Sequence, residues 1–154
     1  MWLEGLKKVY IDSFKAYGHR NISATHPSTL EITKDPYLTP TGNCIIAVKS
    51  EKACADLSED VRRAIMNDRS IIKIKLSCDG EKDEILARGS SKLTLKSPMA
   101  LIVRKSKFIC DKTLAIRANK SAKDLSRKLV RKLKEGKELK VEIIVCLGEA
   151  KCLS

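Results

Sequence analysis

Residues 14–34, FKAYGHRNISATHPSTLEITK, lie without a gap on residues 85–105, ILARGSSKLTLKSPMALIVRK, at a shift of 71 positions. Ala16/Ala87, Gly18/Gly89, Pro27/Pro98, Leu30/Leu101 and Lys34/Lys105 are identical across that shift. With three residues removed from the loop after Lys34 the shift becomes 68, and residues 44–66 then match 112–134. This block repeats Ala47/Ala115, Lys52/Lys120, Asp56/Asp124, Leu57/Leu125, Ser58/Ser126 and Arg63/Arg131. Eleven identities in 44 aligned positions, with the apolar positions largely in phase, mark a tandem duplication. The reading is a single domain over residues 1–154, made of a first repeat at 8–77 and a second at 83–145.

Both copies give the same local pattern. A strand (Tyr10 to Tyr17; Glu84 to Arg88) runs into Gly18 or Gly89, where the backbone needs positive φ or close approach. A short second strand follows, then the His26-Pro27 or Ser97-Pro98 corner and a third strand, Leu30 to Thr33 or Leu101 to Arg104. The fourth strand is Cys44 to Val48 or Lys112 to Arg117. A helix comes next, with Cys54, Leu57, Val61, Ala64 and Ile65 at helical spacing in one copy and Ala122, Leu125, Leu129 and Leu133 in the other. Ser50 and Asn119 are its expected N-caps. The fifth strand alternates Ile72, Ile74 and Leu76, or Leu139, Val141 and Ile143, and Asp79-Gly80 starts the turn between repeats. The fold expected is therefore α+β and β-dominated: two tandem five-strand-plus-one-helix repeats with pseudo-twofold symmetry, ten strands and two helices around one core.

Charge is the strongest compositional signal, with 31 basic against 19 acidic residues and a net charge of +12. Residues 1–78 carry +3 and residues 79–154 carry +9. Such a surface attracts polyanions, nucleic acid above all. The chain has no glutamine and much lysine and isoleucine, as do many proteins of hyperthermophiles, so part of the bias reads as thermal adaptation. No apolar run is long enough to span a membrane, and the opening MWLEGLKK lacks the apolar stretch of a signal peptide. The six cysteines, Cys44, Cys54, Cys78, Cys110, Cys146 and Cys152, contain no C-x-x-C pair. They read as reduced thiols in a cytoplasmic protein.

Two groups of residues carry candidate chemistry. Lys123, Arg127, Arg131 and Lys134 fall on one face of the second helix, with Lys128 and Lys132 beside them and Arg104, Lys105, Lys107 and Lys112 as an extension of the patch. The first repeat has Ala55, Glu59, Arg63 and Met66 at the positions of the first four, so the fold does not require the charge. Phe108 is the sole aromatic within this cluster, which argues for contact with phosphates and against base stacking. The alternative is a solvated lysine-rich face. His19 and His26 form the second group, with Glu31 and Cys44; they could act as acid–base groups, although their spacing matches no metal motif and turn residues are the plainer reading. No metal or cofactor is assigned. Lys52/Asp56 and Lys120/Asp124 are retained i,i+4 pairs and read as structural.

The runs AYGHRNISATHPSTLEITKD, LTPTGNCIIAV, KACADL and VRKSKFICDKTLAIRANKSAKDL resemble the archaeal family known as domain of unknown function 371, across roughly residues 8–145. The resemblance implies an archaeal source and a β-sandwich, jelly-roll-related architecture, and it supplies no activity, cofactor or catalytic residue. This chain departs from the family pattern at Asn43 and Lys107, where the resemblance leads one to expect aspartate.

The leading functional expectation is a nucleic-acid-associated protein, RNA ahead of DNA, acting through the basic face of the second repeat. The alternative is an enzyme or small-ligand binder using the His19/His26/Glu31/Cys44 region at the cleft between repeats. A protein interaction module is the third. No glycine-rich phosphate loop, nucleophile elbow or paired-carboxylate motif is present, so whether the chain is an enzyme stays open.

Overall fold

The computed structural model describes residues 8–148. In chain order the elements are β1 (Lys8–Tyr17), β2 (Thr29–Thr33), β3 (Ile45–Ala47), α1 (Glu59–Ile65), β4 (Ser70–Cys78), β5 (Glu81–Arg88), β6 (Ala100–Arg104), β7 (Thr113–Ala115), α2 (Arg127–Lys134) and β8 (Glu138–Leu147). Short 3-10 turns at Cys54–Asp56 and Ala122–Asp124 precede the helices. The strands form two four-stranded sheets, ordered β1-β8-β4-β5 and β3-β2-β6-β7. Neither sheet closes or curls as a jelly roll would, so that part of the expectation is corrected.

The order of each sheet reads the same when the repeats are exchanged, which is the signature of an approximate twofold axis. In the second sheet Glu31 lies opposite Ile102, its own equivalent at the 71 shift. In the first sheet β4 and β8 follow a shift of 67, and Lys75 lies opposite its equivalent Glu142. The axis therefore passes between β2 and β6 and between β4 and β8. Alternation along the strands buries Ile72, Ile74 and Leu76 from one repeat against Leu139, Val141 and Ile143 from the other, and the inner faces of both sheets share one apolar cluster. Asp79 (φ 48°) and Gly80 (φ 86°) form the two-residue turn between β4 and β5, with the positive φ at both positions that an Asp-Gly hairpin provides.

Each repeat supplies four strands among the described residues, one fewer than expected. The missing one is the segment after Gly18 or Gly89. Ile22, Ala24, Leu93 and Leu95 are buried at alternate positions, as a strand would require, but Ala24 and Leu95 adopt φ of 51°. A left-handed residue breaks the extended path, so the segment packs into the core without joining a ladder. Gly18 and Gly89 answer to close approach and not to positive φ. A Cβ on Gly18 would sit 1.9 Å from the Leu133 carbonyl oxygen, and one on Gly89 would sit 2.1 Å from that of Ile65.

The helices also start later than the apolar spacing indicates. Leu57 and Leu125 are extended (ψ 151° and 149°) and separate the 3-10 turn from the α-helix. Ser58 and Ser126 are the N-caps, their hydroxyls accepting from the Val61 and Leu129 N–H groups. Ser50 and Asn119 do other work: the Asn119 amide oxygen accepts from Leu86 N–H at 2.9 Å, where Glu51 Oε1 accepts from Lys15 N–H in the first repeat. Among the described residues no helix is long and apolar enough to cross a membrane. Cys146 is disulfide-bonded, which overturns the expectation of six thiols; Cys44, Cys54, Cys78 and Cys110 are free, and Cys152 lies outside the described residues.

Candidate functional site

The retained Lys/Asp pairs organise the surroundings of both helices, by long-range contacts that the local spacing does not reveal. Lys52 bonds Asp12 at 2.6 Å, and Asp12 also accepts from Ser58 N–H at 2.8 Å, so one buried carboxylate ties β1 to the start of α1. Asp83 does the same in the second repeat, bonding Lys120 and accepting from Ser126 N–H at 2.7 Å. The other halves of the expected pairs face elsewhere. Asp56 bonds Lys34 at 2.6 Å and caps its turn through Ala53 N–H, and Asp124 bonds Lys105 at 2.7 Å and caps through Ser121 N–H. The Lys105 bond, aided by Ser121, holds the Asp124 carboxyl at about 2. The i,i+4 reading is thus corrected, while the structural role stands.

The two histidines take the places of two serines. His19 Nδ1 accepts from Asn21 N–H at 3.0 Å, as Ser90 Oγ accepts from Lys92 N–H at 3.1 Å. His26 Nδ1 accepts from Ser28 and Thr29 N–H at 3.2 and 3.1 Å, as Ser97 Oγ accepts from Met99 and Ala100. One ring nitrogen of each histidine is therefore committed to a turn as an acceptor. Glu31 and Cys44 stand apart from these rings' bonds but touch each other, the thiol donating to Glu31 Oε1 at 3.8 Å. Among the described residues no group of three His, Cys, Asp or Glu is arranged to hold a metal.

Glu31 sits at the twofold axis on the outer face of β2, where its partner copy has Ile102. Burial raises its carboxyl above the usual range, against the opposing pull of Lys112 and Arg104. Burial, and then Glu31, likewise push the Cys44 thiol up. Next to them Arg104 stacks over the Phe108 ring, 4.9 Å from its centroid, and donates to Thr113 Oγ1 at 3.1 Å and to Cys110 Sγ at 3.4 Å. Burial acts to raise Cys110, but the Lys112 N–H, Arg104 and Thr113 outweigh it and hold this thiol below its ordinary value. Sequence reasoning missed Cys110, and the signal was available in the R-x-x-x-x-x-C-x-x-T spacing only once the β6–β7 loop folds back.

The basic residues divide by what they touch. Arg127 is a structural tie: its guanidinium donates to the carbonyls of Leu125, Ala122 and Lys123, and to that of Ala24 in the other repeat at 3.1 Å. Lys105 is paired with Asp124, and Lys132 with Asp79 at 3.2 Å. Lys123 lies in the 3-10 turn and not on the helix, its N–H donating to the His26 carbonyl at 3.1 Å. Lys123, Lys128, Arg131 and Lys134 are exposed, and no carboxylate among the described residues lies within ion-pair distance of them. Lys107 lies away in the β6–β7 loop, in a depression with Arg88, Lys92 and Arg117.

This duplicated architecture of two four-stranded sheets, each shared by both repeats, and two capped helices is that of an archaeal family. The chain belongs to the family described as Domain of unknown function (DUF371), whose model matches residues 14–146. It is 51% identical over 131 residues to "Uncharacterized protein MJ0206" of Methanocaldococcus jannaschii, covering 85% of this chain and 96% of that protein.

Proposed function

We propose that this protein is a cytoplasmic polyanion-binding protein that contacts RNA phosphates through Lys123, Lys128, Arg131 and Lys134. The observation that carries the reading is a conflict between charge and helix. α1 places Glu59 and Asp60 in its first turn, where the dipole favours acids. α2 has no acid there and presents Lys128 instead, and it carries five basic residues and no acidic one. A cation in the first turn costs about 0.3–1 kcal/mol at low salt. A residue that opposes its own helix in one copy only is better explained by something it meets outside the fold. The lysine content of a heat-adapted surface accounts for number but not for this position.

Binding of a fluorescent single-stranded RNA, followed by anisotropy from low to high salt, tests the proposal. Four phosphate contacts give a log–log salt slope of roughly −3 for single strands. Lys128→Glu with Arg131→Glu should lower that slope by roughly 1.4 and weaken binding at least tenfold, while leaving the melting temperature unchanged. Absence of any salt-dependent binding at about 50 mM salt sinks the reading.

A further inference from the structure

A second concentration of charge lies away from the basic face. Arg88, Lys92, Lys107 and Arg117 line one depression of about 540 Å³, with Ile109 and Ile116 as its apolar wall. Four separate chain segments meet there: the α1–β4 turn at Asp68, the end of β5 and its following turn, the β6–β7 loop, and the residues after β7. They are held by the Arg88–Ile116 bridge, whose two backbone hydrogen bonds measure 2.8 and 2.9 Å, and by Arg117 N–H donating to the Ser106 carbonyl at 2.9 Å. Arg117 keeps a left-handed φ of 52°, a conformation that disfavours any side chain.

None of the four cations has a carboxylate within ion-pair distance among the described residues. Asp68 also borders the depression; Ser91 N–H and hydroxyl donate to it at 2.8 and 3.1 Å, and these bonds, with the nearby Lys92 charge, hold its carboxyl below the ordinary range, so it stays negative there. With Asp68 counted, four positive charges and one negative charge border the concavity, an excess of three that favours an anion of two or more charges.

The first repeat shows that the framework does not need these charges. Tyr17 stands in the place of Arg88 and makes the same bridge, to Val48, with both bonds at 2.8 Å. Asn21 replaces Lys92, and Lys49, at φ 52°, replaces Arg117. The backbone is therefore common to both copies, and Arg88 and Lys92 are particular to one.

We infer that this depression is a binding site for a small organic phosphate of two or more negative charges, a nucleoside diphosphate in class. Two guanidinium forks suit bidentate phosphate oxygens, and two lysines supply point charges around them. The volume suits a ligand of nucleotide size, and the isoleucine wall accepts its non-phosphate part. The site is separate from the helix face proposed for RNA and does not depend on it.

The test is isothermal titration with pyrophosphate and with ADP, on wild type and on Arg88→Tyr with Lys92→Asn. That double variant installs the first repeat's own residues on an identical backbone, and its fold is checked by its melting temperature. Both probes should bind wild type, ADP more tightly, and the double variant should lose at least tenfold. Lys128→Glu with Arg131→Glu should retain full affinity for both. No binding at about 1 mM probe in low salt overturns the inference, as does an equal loss in the two double variants. Should the grafted pair fail to fold, Lys107→Ser on the exposed loop carries the same comparison.

Discussion

Replacing Asp83 by alanine removes one carboxylate and with it two attachments of the second helix. Its side chain is 9% exposed, and it holds Ser126 N–H at 2.7 Å and the Lys120 ammonium, whose side chain is 31% exposed. Breaking a buried ion pair from one side costs about 3–5 kcal/mol, and the partial hydration of Lys120 places this case near 3. For a chain of this length that is a fall of roughly 6–12 °C in melting temperature. Asp12→Ala removes the same two contacts from the first repeat, at 2.6 and 2.8 Å, and should cost the same within about 1 kcal/mol. Changing Lys120→Met on top of Asp83→Ala should recover part of the loss, because no buried ammonium is then stranded. The pH dependence has a definite sign. Burial works to raise the Asp83 carboxyl, but its bonds to Lys120, Ser126 and Glu84 prevail and hold it below the ordinary range. A depressed folded value means stability that is present above the unfolded carboxylate value of about 3.9 and is lost as pH falls through the folded one. Urea titration of both variants at neutral and acid pH measures all of this. A loss under about 1 kcal/mol at neutral pH would refute the claim that the carboxylate anchors the helix.

Arg127→Glu should destabilise by about 1.5 kcal/mol or more, since four carbonyl contacts are lost, while Lys128→Glu is neutral or slightly stabilising because it matches the dipole; equal effects in thermal melts would contradict the structural role given to Arg127. Gly18→Ala and Gly89→Ala each drive a methyl into a helix-end carbonyl, and both should lower chemical stability by about 3 kcal/mol; an unaffected urea midpoint argues against the close approach. Alkylation mapped by mass spectrometry should label Cys110 first and Cys54 last, since burial pushes Cys54 up to about 12. Cys146 should stay unlabelled until a reductant is added, and its labelling without one would show that no disulfide forms.

What the sequence made legible was whatever repeats or alternates. The duplication, the Asp79-Gly80 hairpin and the central β4 and β8 strands follow from periodicity, which is local. The segment after Gly18 or Gly89 reads as a short strand, but burial at every second position (Ile22 and Ala24, Leu93 and Leu95) also suits an irregular segment packed on a core, and only the left-handed turn at Ala24 and Leu95 tells the two apart. Lys52 and Asp56 were paired for their spacing, but each finds its partner 22 or more positions away, and no local rule reports that. The site was harder still. Arg127 looked like one more surface cation, whereas its carbonyl partner at Ala24 lies in the other repeat. Arg88, Lys92 and Arg117 are dispersed in the chain and gather only when Arg88 bridges Ile116, just past the end of β7.

The order β1-β8-β4-β5 alternates strands of the two repeats, and this has a bearing on how the chain comes to be folded. β1 and β4 belong to the same repeat yet share no edge; each waits for β8, the last strand described, to enter between them. While the chain is being synthesised its first half thus holds two long strands without their central neighbour, so the first sheet is completed only after β8 has been made, through pairings such as Lys8 with Leu147. Folding of this kind is nonlocal and slow, and it leaves strand edges open to other chains in the interval. Because both repeats lie on one chain, β8 enters between β1 and β4 at an effective concentration set by the linking segment and not by the concentration of a second molecule.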